Sequence, residues 1–222
     1  MERSVCEITT ILFDFDGVIA DTEPENAKRL AGLLTDYGVT VSADDMMAFA
    51  GMTDRDVMER YAPQMRTRKD VDELLRELDA RPSIYETGDI RPGKGLCTLL
   101  TELRDSGIKT AIVSSSMTRL LITALNRMSM LHLFDAVIGG DMVREHKPSP
   151  EGYLLAMRFL DAAASKTVVI EDSPAGIRAG RQAGAYVIGY RGTGQSGDGA
   201  DVCVNAFDEV RNLGIFQRNQ EE

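Results

Sequence analysis

Five short, mainly apolar runs punctuate the chain: Thr10–Phe13, Lys109–Val113, Ala136–Ile138, residues 167–170 and residues 186–188. Runs this short, apolar at both alternating positions, suit parallel strands covered on both faces. Between them lie segments with apolar residues at helical spacing. Residues 94–105 carry Leu96, Leu99, Leu100 and Leu103, with Pro92 ahead and Gly107 behind as start and stop signals. Residues 118–127, 150–160 and 175–183 repeat the pattern. Alternating strand and helix predicts the α/β class, as a doubly wound, Rossmann-like parallel sheet.

The alternation breaks once. Between the first and second strands, residues 22–88 show helical patterns and no convincing strand. Pro24 suits the first turn of a helix running to Tyr37, with Gly38 as its stop, and residues 54–61 and 69–78 read as further helices. An insertion at this point would sit over the carboxyl end of the sheet, where open α/β sheets bind ligands. The expected organisation is therefore a Rossmann-like core from residues 1–20 and 89–222, with an inserted α-helical cap domain at 21–88. The cap methionines Met46, Met47, Met52 and Met58 read as core or gap-filling residues.

Composition changes this picture little. With 222 residues, 43% hydrophobic and 27% charged, the chain has ordinary globular composition. A net charge of −10 without a basic patch argues against nucleic acid as a partner. Cys6, Cys97 and Cys203 are scattered and odd in number, which fits a reducing cytoplasm better than a disulfide framework. No apolar run approaches the roughly 18 residues of a membrane span, so no membrane partner is expected. A cytoplasmic monomer is the default expectation.

The chemistry gathers at strand ends. Asp14 and Asp16 follow the first strand; Ser114, Ser115 and Ser116 follow the second; Lys147 follows the third through a loop; Glu171 and Asp172 follow the fourth. In a parallel sheet these ends share one edge. Clustered carboxylates cannot all ionise near neutrality without a compensating cation, and a hard, oxygen-preferring ion such as Mg²⁺ supplies that charge. A phosphate beside the ion, faced by Lys147 and the Ser114 hydroxyl, would complete the balance, so the set asks for metal-assisted phosphoryl transfer. Ser116 reads as the cap of the helix from Thr118, His146 as structural or exposed, and Asp141 as a loop acid.

The run Asp14-Phe15-Asp16-Gly17-Val18-Ile19 resembles the first motif of the haloacid dehalogenase-like superfamily. Ser114, Lys147 and Glu171-Asp172-Ser173-Pro174-Ala175-Gly176 resemble its second, third and fourth motifs in order. Asp21-Thr22-Glu23-Pro24 is similar to the lead into the α-helical cap of the branch containing β-phosphoglucomutase and many small-metabolite phosphatases. The resemblance implies that Asp14 attacks phosphorus, becomes an aspartyl phosphate and also binds Mg²⁺. It implies that Asp16 gives its main-chain carbonyl to the metal while its side chain protonates the leaving oxygen and later activates water. Ser114, Ser115 and Lys147 would hold the phosphoryl group, and Asp172 would bind the metal, with Glu171 contributing directly or through water. The turn 51–55 resembles the cap loop that faces the site, which makes Thr53 and Arg55 candidate substrate contacts.

Within this branch the mutase carries a cap-helix histidine where Asn26 stands here, and a cap-loop arginine where Asp54 stands, with Arg55 one step later. Both changes weaken binding of a second phosphate. The expected substrate is therefore a small phosphorylated metabolite such as a sugar phosphate, hydrolysed by a phosphatase, with a β-phosphoglucomutase-type isomerisation as the alternative. A phospho-receiver module also surrounds an aspartate with acids, a hydroxyl and a lysine. Such a module lacks the cap and carries its acceptor after a later strand. Gly17 and the linkers near Asp21 and Gly88 are candidate hinges.

Overall fold

Thr10–Phe13 forms strand β1, and every one of its side chains is buried, as two-sided cover requires. The computed structural model describes residues 8–49, 53–66, 69–194 and 197–213; Cys6, Gly51 and Met52 lie outside them. Downstream of β1 come helices α1 (Glu23–Asp36), α2 (Ala43–Met47), α3 (Asp54–Tyr61), α4 (Val71–Ala80) and α5 (Ile84–Thr87). Then α6 (Leu96–Asp105), β2 (Lys109–Val113), α7 (Thr118–Arg127) and β3 (Ala136–Ile138) follow. The chain continues through α8 (Glu151–Leu160), β4 (Thr167–Glu171), α9 (Pro174–Gln182), β5 (Tyr186–Tyr190), β6 (Val202–Val204) and α10 (Phe207–Arg211).

The chain folds into two units, residues 1–21 with 91–222, and residues 22–90. In the first, the strands among the described residues form one parallel sheet in the order β3-β2-β1-β4-β5-β6. β1 is central, with Phe13 beside Ile112 of β2 and Ile170 of β4. The order reverses at β1, and such a switch point opens a crevice at the carboxyl ends of the strands. One side of the sheet buries Leu12, Val113, Val169 and Val187 against Tyr153, Ala156 and Met157 of α8 and Ile177 and Ala179 of α9. Gly180 lets α9 lie close, since a Cβ there would come within 3.0 Å of Val187.

In the second unit, Ala27, Leu30, Leu33 and Leu34 of α1 pack with Val57 and Met58 of α3 and Leu74 and Leu78 of α4. Each of α2 to α5 starts with a capping box, headed by Ser42, Thr53, Asp70 and Ser83. The reciprocal bonds satisfy two orphan amides each, which lets helices as short as α2 and α5 form. Met46 and Met58 are core residues, but Met47, expected beside them, is 39% exposed because it projects from the other side of α2. Among the described residues no helix is long and apolar enough to cross a membrane.

Candidate active site

The four strand ends deliver their polar groups to one rim. Asp14 leaves β1 with its amide still bonded to Ile170 O of β4 at 3.0 Å, and Ser114 leaves β2 with its amide on Ile138 O of β3 at 3.0 Å. β4 runs one residue past its apolar stretch, because Glu171 still pairs with Gly189 of β5. Its carboxyl is therefore wholly buried, while Asp14, Ser114 and Asp172 beside it are less than a tenth exposed. The rim brings Asp14, Asp16, Ser114, Lys147, Glu171 and Asp172 together.

Lys147 is the hub. Its ammonium donates to Asp14 Oδ1, to Val113 O at 2.9 Å and to Glu171 Oε1 at 2.7 Å. Glu171 is fixed from three directions: Oε1 also accepts from the Tyr153 hydroxyl at 3.1 Å, and Oε2 accepts from the Ser173 amide at 2.9 Å and hydroxyl at 3.1 Å. Gly176 makes room for this carboxylate, since a Cβ there would fall 1.5 Å from Glu171 Oε1. Asp16 is half-buried, and its Oδ2 accepts from the Ser116 hydroxyl at 3.2 Å and, at a longer 3.4 Å, from Ser114 Oγ.

Ser116 thus does not cap α7 as the sequence suggests. Asp141 does, accepting from the Thr118 amide and hydroxyl, both at 2.7 Å. Ser115 is exposed on the same loop, and so is His146 beside Lys147. Thr53 and Arg55 belong to the second unit. There Thr53 Oγ1 donates to Asp56 at 2.6 Å within the cap of α3, and Arg55 pairs with Asp72 at 2.5 Å. In the same unit Asp54 meets Asn26 at 3.4 Å and Arg29 at 3.6 Å.

Asp14, Glu171 and Asp172 offer one oxygen each, all within 4.8 Å of one another. At that spacing each ionised pair repels by roughly 3.5 kcal/mol at an effective dielectric of about 20. Three carboxylates and one ammonium leave a local charge of −2. The strain shows in the ionisation of the group. Burial, then Glu171, lifts Asp14 well above the ordinary carboxyl range despite Lys147. The same two causes, in the same order, bring Asp172 up to about 7. Lys147 stays charged: burial alone would lower it, but Asp14 and Glu171 outweigh that. A buried, all-oxygen, doubly negative set fits a hard divalent ion such as Mg²⁺.

Sequence reasoning missed Tyr153, which reads as one more apolar position of α8, and the steric role of Gly17. The backbone of Gly17 has φ +83°, and a Cβ there would lie 1.9 Å from Asp172 Oδ2. Gly17→Ala should therefore displace the Asp172 carboxylate and strain the turn by about 1–2 kcal/mol. We expect Mg²⁺ affinity, read by calorimetry, to fall about 10- to 100-fold. Parent-like affinity in that variant would remove Asp172 from the ion's coordination.

Comparison with known proteins finds related sequences and structures. A family model described as haloacid dehalogenase-like hydrolase matches residues 11–190. The chain is 30% identical over 202 residues to validoxylamine A 7'-phosphate phosphatase of Streptomyces hygroscopicus subsp. limoneus, spanning 90% of this chain and 94% of that protein. It is 29% identical over 209 residues to β-phosphoglucomutase of Bacillus subtilis, spanning 90% of each. The solved structure of a HAD family hydrolase from Deinococcus radiodurans, with bound phosphate and sodium, matches with a TM-score of 0.77 at 27% identity. That match covers 94% of this chain and 96% of the other.

Proposed function

The chain belongs to the haloacid dehalogenase-like hydrolase family, and from that premise we propose that it hydrolyses a small phosphorylated metabolite, a sugar phosphate first of all, through a phosphoryl group carried on Asp14. It is a phosphoric monoester hydrolase. The observation that carries the reading is the contact of Asp14 with Lys147 inside a buried set of three carboxylates.

In this reading a carboxylate oxygen of Asp14 attacks phosphorus, and the bond to the ester oxygen breaks. Asp16, half-buried, serves as the general acid that supplies a proton to that oxygen as it leaves. Lys147 and the Ser114 hydroxyl, with Ser115 on the same loop, hold the phosphoryl oxygens. Asp16 then takes a proton from a water that attacks the phosphorus of the aspartyl phosphate, which frees Asp14 and releases inorganic phosphate. Asp14, Asp172 and the Asp16 carbonyl, with Glu171 directly or through water, would hold Mg²⁺, which when bound offsets the negative charge of acids and phosphate together. The two aspartates lie in unequal environments. Asp14 is buried against Lys147, which together with a bound cation would offset the burial that disfavours its charge. Asp16 is half-buried against two hydroxyls.

The β-phosphoglucomutase relative supports a second reading, phosphoryl exchange between two positions of one sugar. Hydrolysis is favoured because Asp54, an acid, stands where the mutase's cap loop carries an arginine; within the second unit it meets Asn26 and Arg29. The test is phosphate release from a panel of phosphorylated metabolites with and without Mg²⁺. We expect release from at least one sugar monophosphate. Interconversion of glucose 1-phosphate and glucose 6-phosphate in the presence of the bisphosphate, without net phosphate release, would overturn hydrolysis in favour of exchange.

A further inference from the structure

We propose that Tyr153 is a positioning residue for Lys147, holding its ammonium in place from α8 through both the ring face and the hydroxyl; the inference rests on the phosphatase reading above. Tyr153 is 1% exposed, and Lys147 Nζ lies 5.1 Å from its ring centroid. Its hydroxyl donates to the same Glu171 oxygen that receives Lys147.

The need for such a residue follows from the lysine itself. Lys147 sits on a loop, and its ammonium ends a flexible four-carbon stem. All three of its protons are committed, to Asp14, Val113 O and Glu171. Gripping a phosphoryl oxygen requires it to give up one, and the contact with Asp14 is the one that substrate replaces. The ammonium then hangs on Val113 O and Glu171 Oε1. Ser173 fixes Oε2, so Oε1 would be held by nothing besides Lys147 were Tyr153 absent. The Tyr153 hydroxyl fixes Oε1 from α8, and the negative ring face takes the cation from the side. Gly152 lets α8 approach β2 closely, since a Cβ there would meet Val113 at 3.0 Å. Val113 is also the residue whose carbonyl Lys147 uses.

A core tyrosine that only filled space would tolerate Tyr153→Phe, which keeps shape and ring. Positioning predicts otherwise. With p-nitrophenyl phosphate and Mg²⁺, Tyr153→Phe should lower kcat about 10- to 100-fold, the range for losing a hydrogen bond to a charged group, with KM largely unchanged. Tyr153→Leu, which also loses the ring, should fall several-fold further. The second measurement needs no turnover: nitrogen-15 NMR of the lysine ammonium groups in the full chain with Mg²⁺ and inorganic phosphate. The Lys147 protons should exchange slowly with solvent in the parent and markedly faster in Tyr153→Phe. Exchange as slow in the variant as in the parent overturns the proposal whatever kcat does. A parent that releases no phosphate from any ester would instead sink the hydrolase reading, and the ammonium exchange would still decide this one.

Discussion

Replacing Asp14 with asparagine should lower phosphate release by at least about 10⁴-fold, the scale seen when a covalent nucleophile is removed from a working catalytic group. The substitution keeps the shape of the side chain and its backbone bond to Ile170, so the fold should survive. It should in fact gain stability when metal is absent. Asp14 is buried among Glu171, Asp16 and Asp172, and burial is the first cause that lifts its pKa above the ordinary carboxyl range. Asparagine carries no charge to bury, so the cost of placing a carboxylate there, which outweighs the pull of Lys147, disappears. A dead enzyme that melts higher than its parent in chelator is hard to explain by damage. Turnover within tenfold of the parent in Asp14→Asn would transfer the nucleophile's role to another group.

Much of the fold is legible in the sequence alone, and the reason is burial. β1, β2 and β3 have the bounds that their apolar runs suggest, because a strand covered on both faces leaves an unambiguous signature. β6 was not legible. Val202-Cys203-Val204 is too short to show a period, and it exists as a strand because β5 offers it an edge. α2 and α5 were also missed, although Ser42 with Asp45 and Ser83 with Glu86 carried the capping signal. Their apolar content is too small to show helical periodicity, so the caps were the better guide.

The site was legible in its ionisable residues and not in their supports. Strand-end position is a sequence property, so Asp14, Ser114 and Asp172 could be grouped in advance. Which hydroxyl meets which carboxylate depends on loop geometry. Ser116 turns to Asp16 because Asp141, from a short 3-10 turn beyond β3, already satisfies the start of α7. Gly17 looks like an ordinary turn glycine until Asp172, far along the chain, occupies the space of its missing side chain.

Chelating Mg²⁺ should reduce turnover by about three orders of magnitude, since a bound divalent ion supplies several kcal/mol at about 1.36 kcal/mol per tenfold. The dependence on pH gives this prediction its sign. Without metal, Asp172 holds its proton up to about 7, because burial and then Glu171 disfavour its charge. Mg²⁺ must displace that proton, so apparent affinity should weaken up to about tenfold for each pH unit below 7. Stability without metal runs the same way. Between the ordinary 3.8 and about 7 the folded protein binds a proton that the unfolded chain does not. Unfolding free energy therefore falls as pH rises through that window, by up to about 4 kcal/mol for this one group. Asp14, also raised, adds in the same direction. Mg²⁺ should cancel the slope, because it stabilises the ionised acids, and Asp172→Asn should flatten it without metal. Melting curves from pH 4 to 8, in chelator and in Mg²⁺, read both effects. A parent slope in chelator no steeper than that of Asp172→Asn would mean that this carboxyl ionises freely, and with it would go the case for a cation held between the three acids.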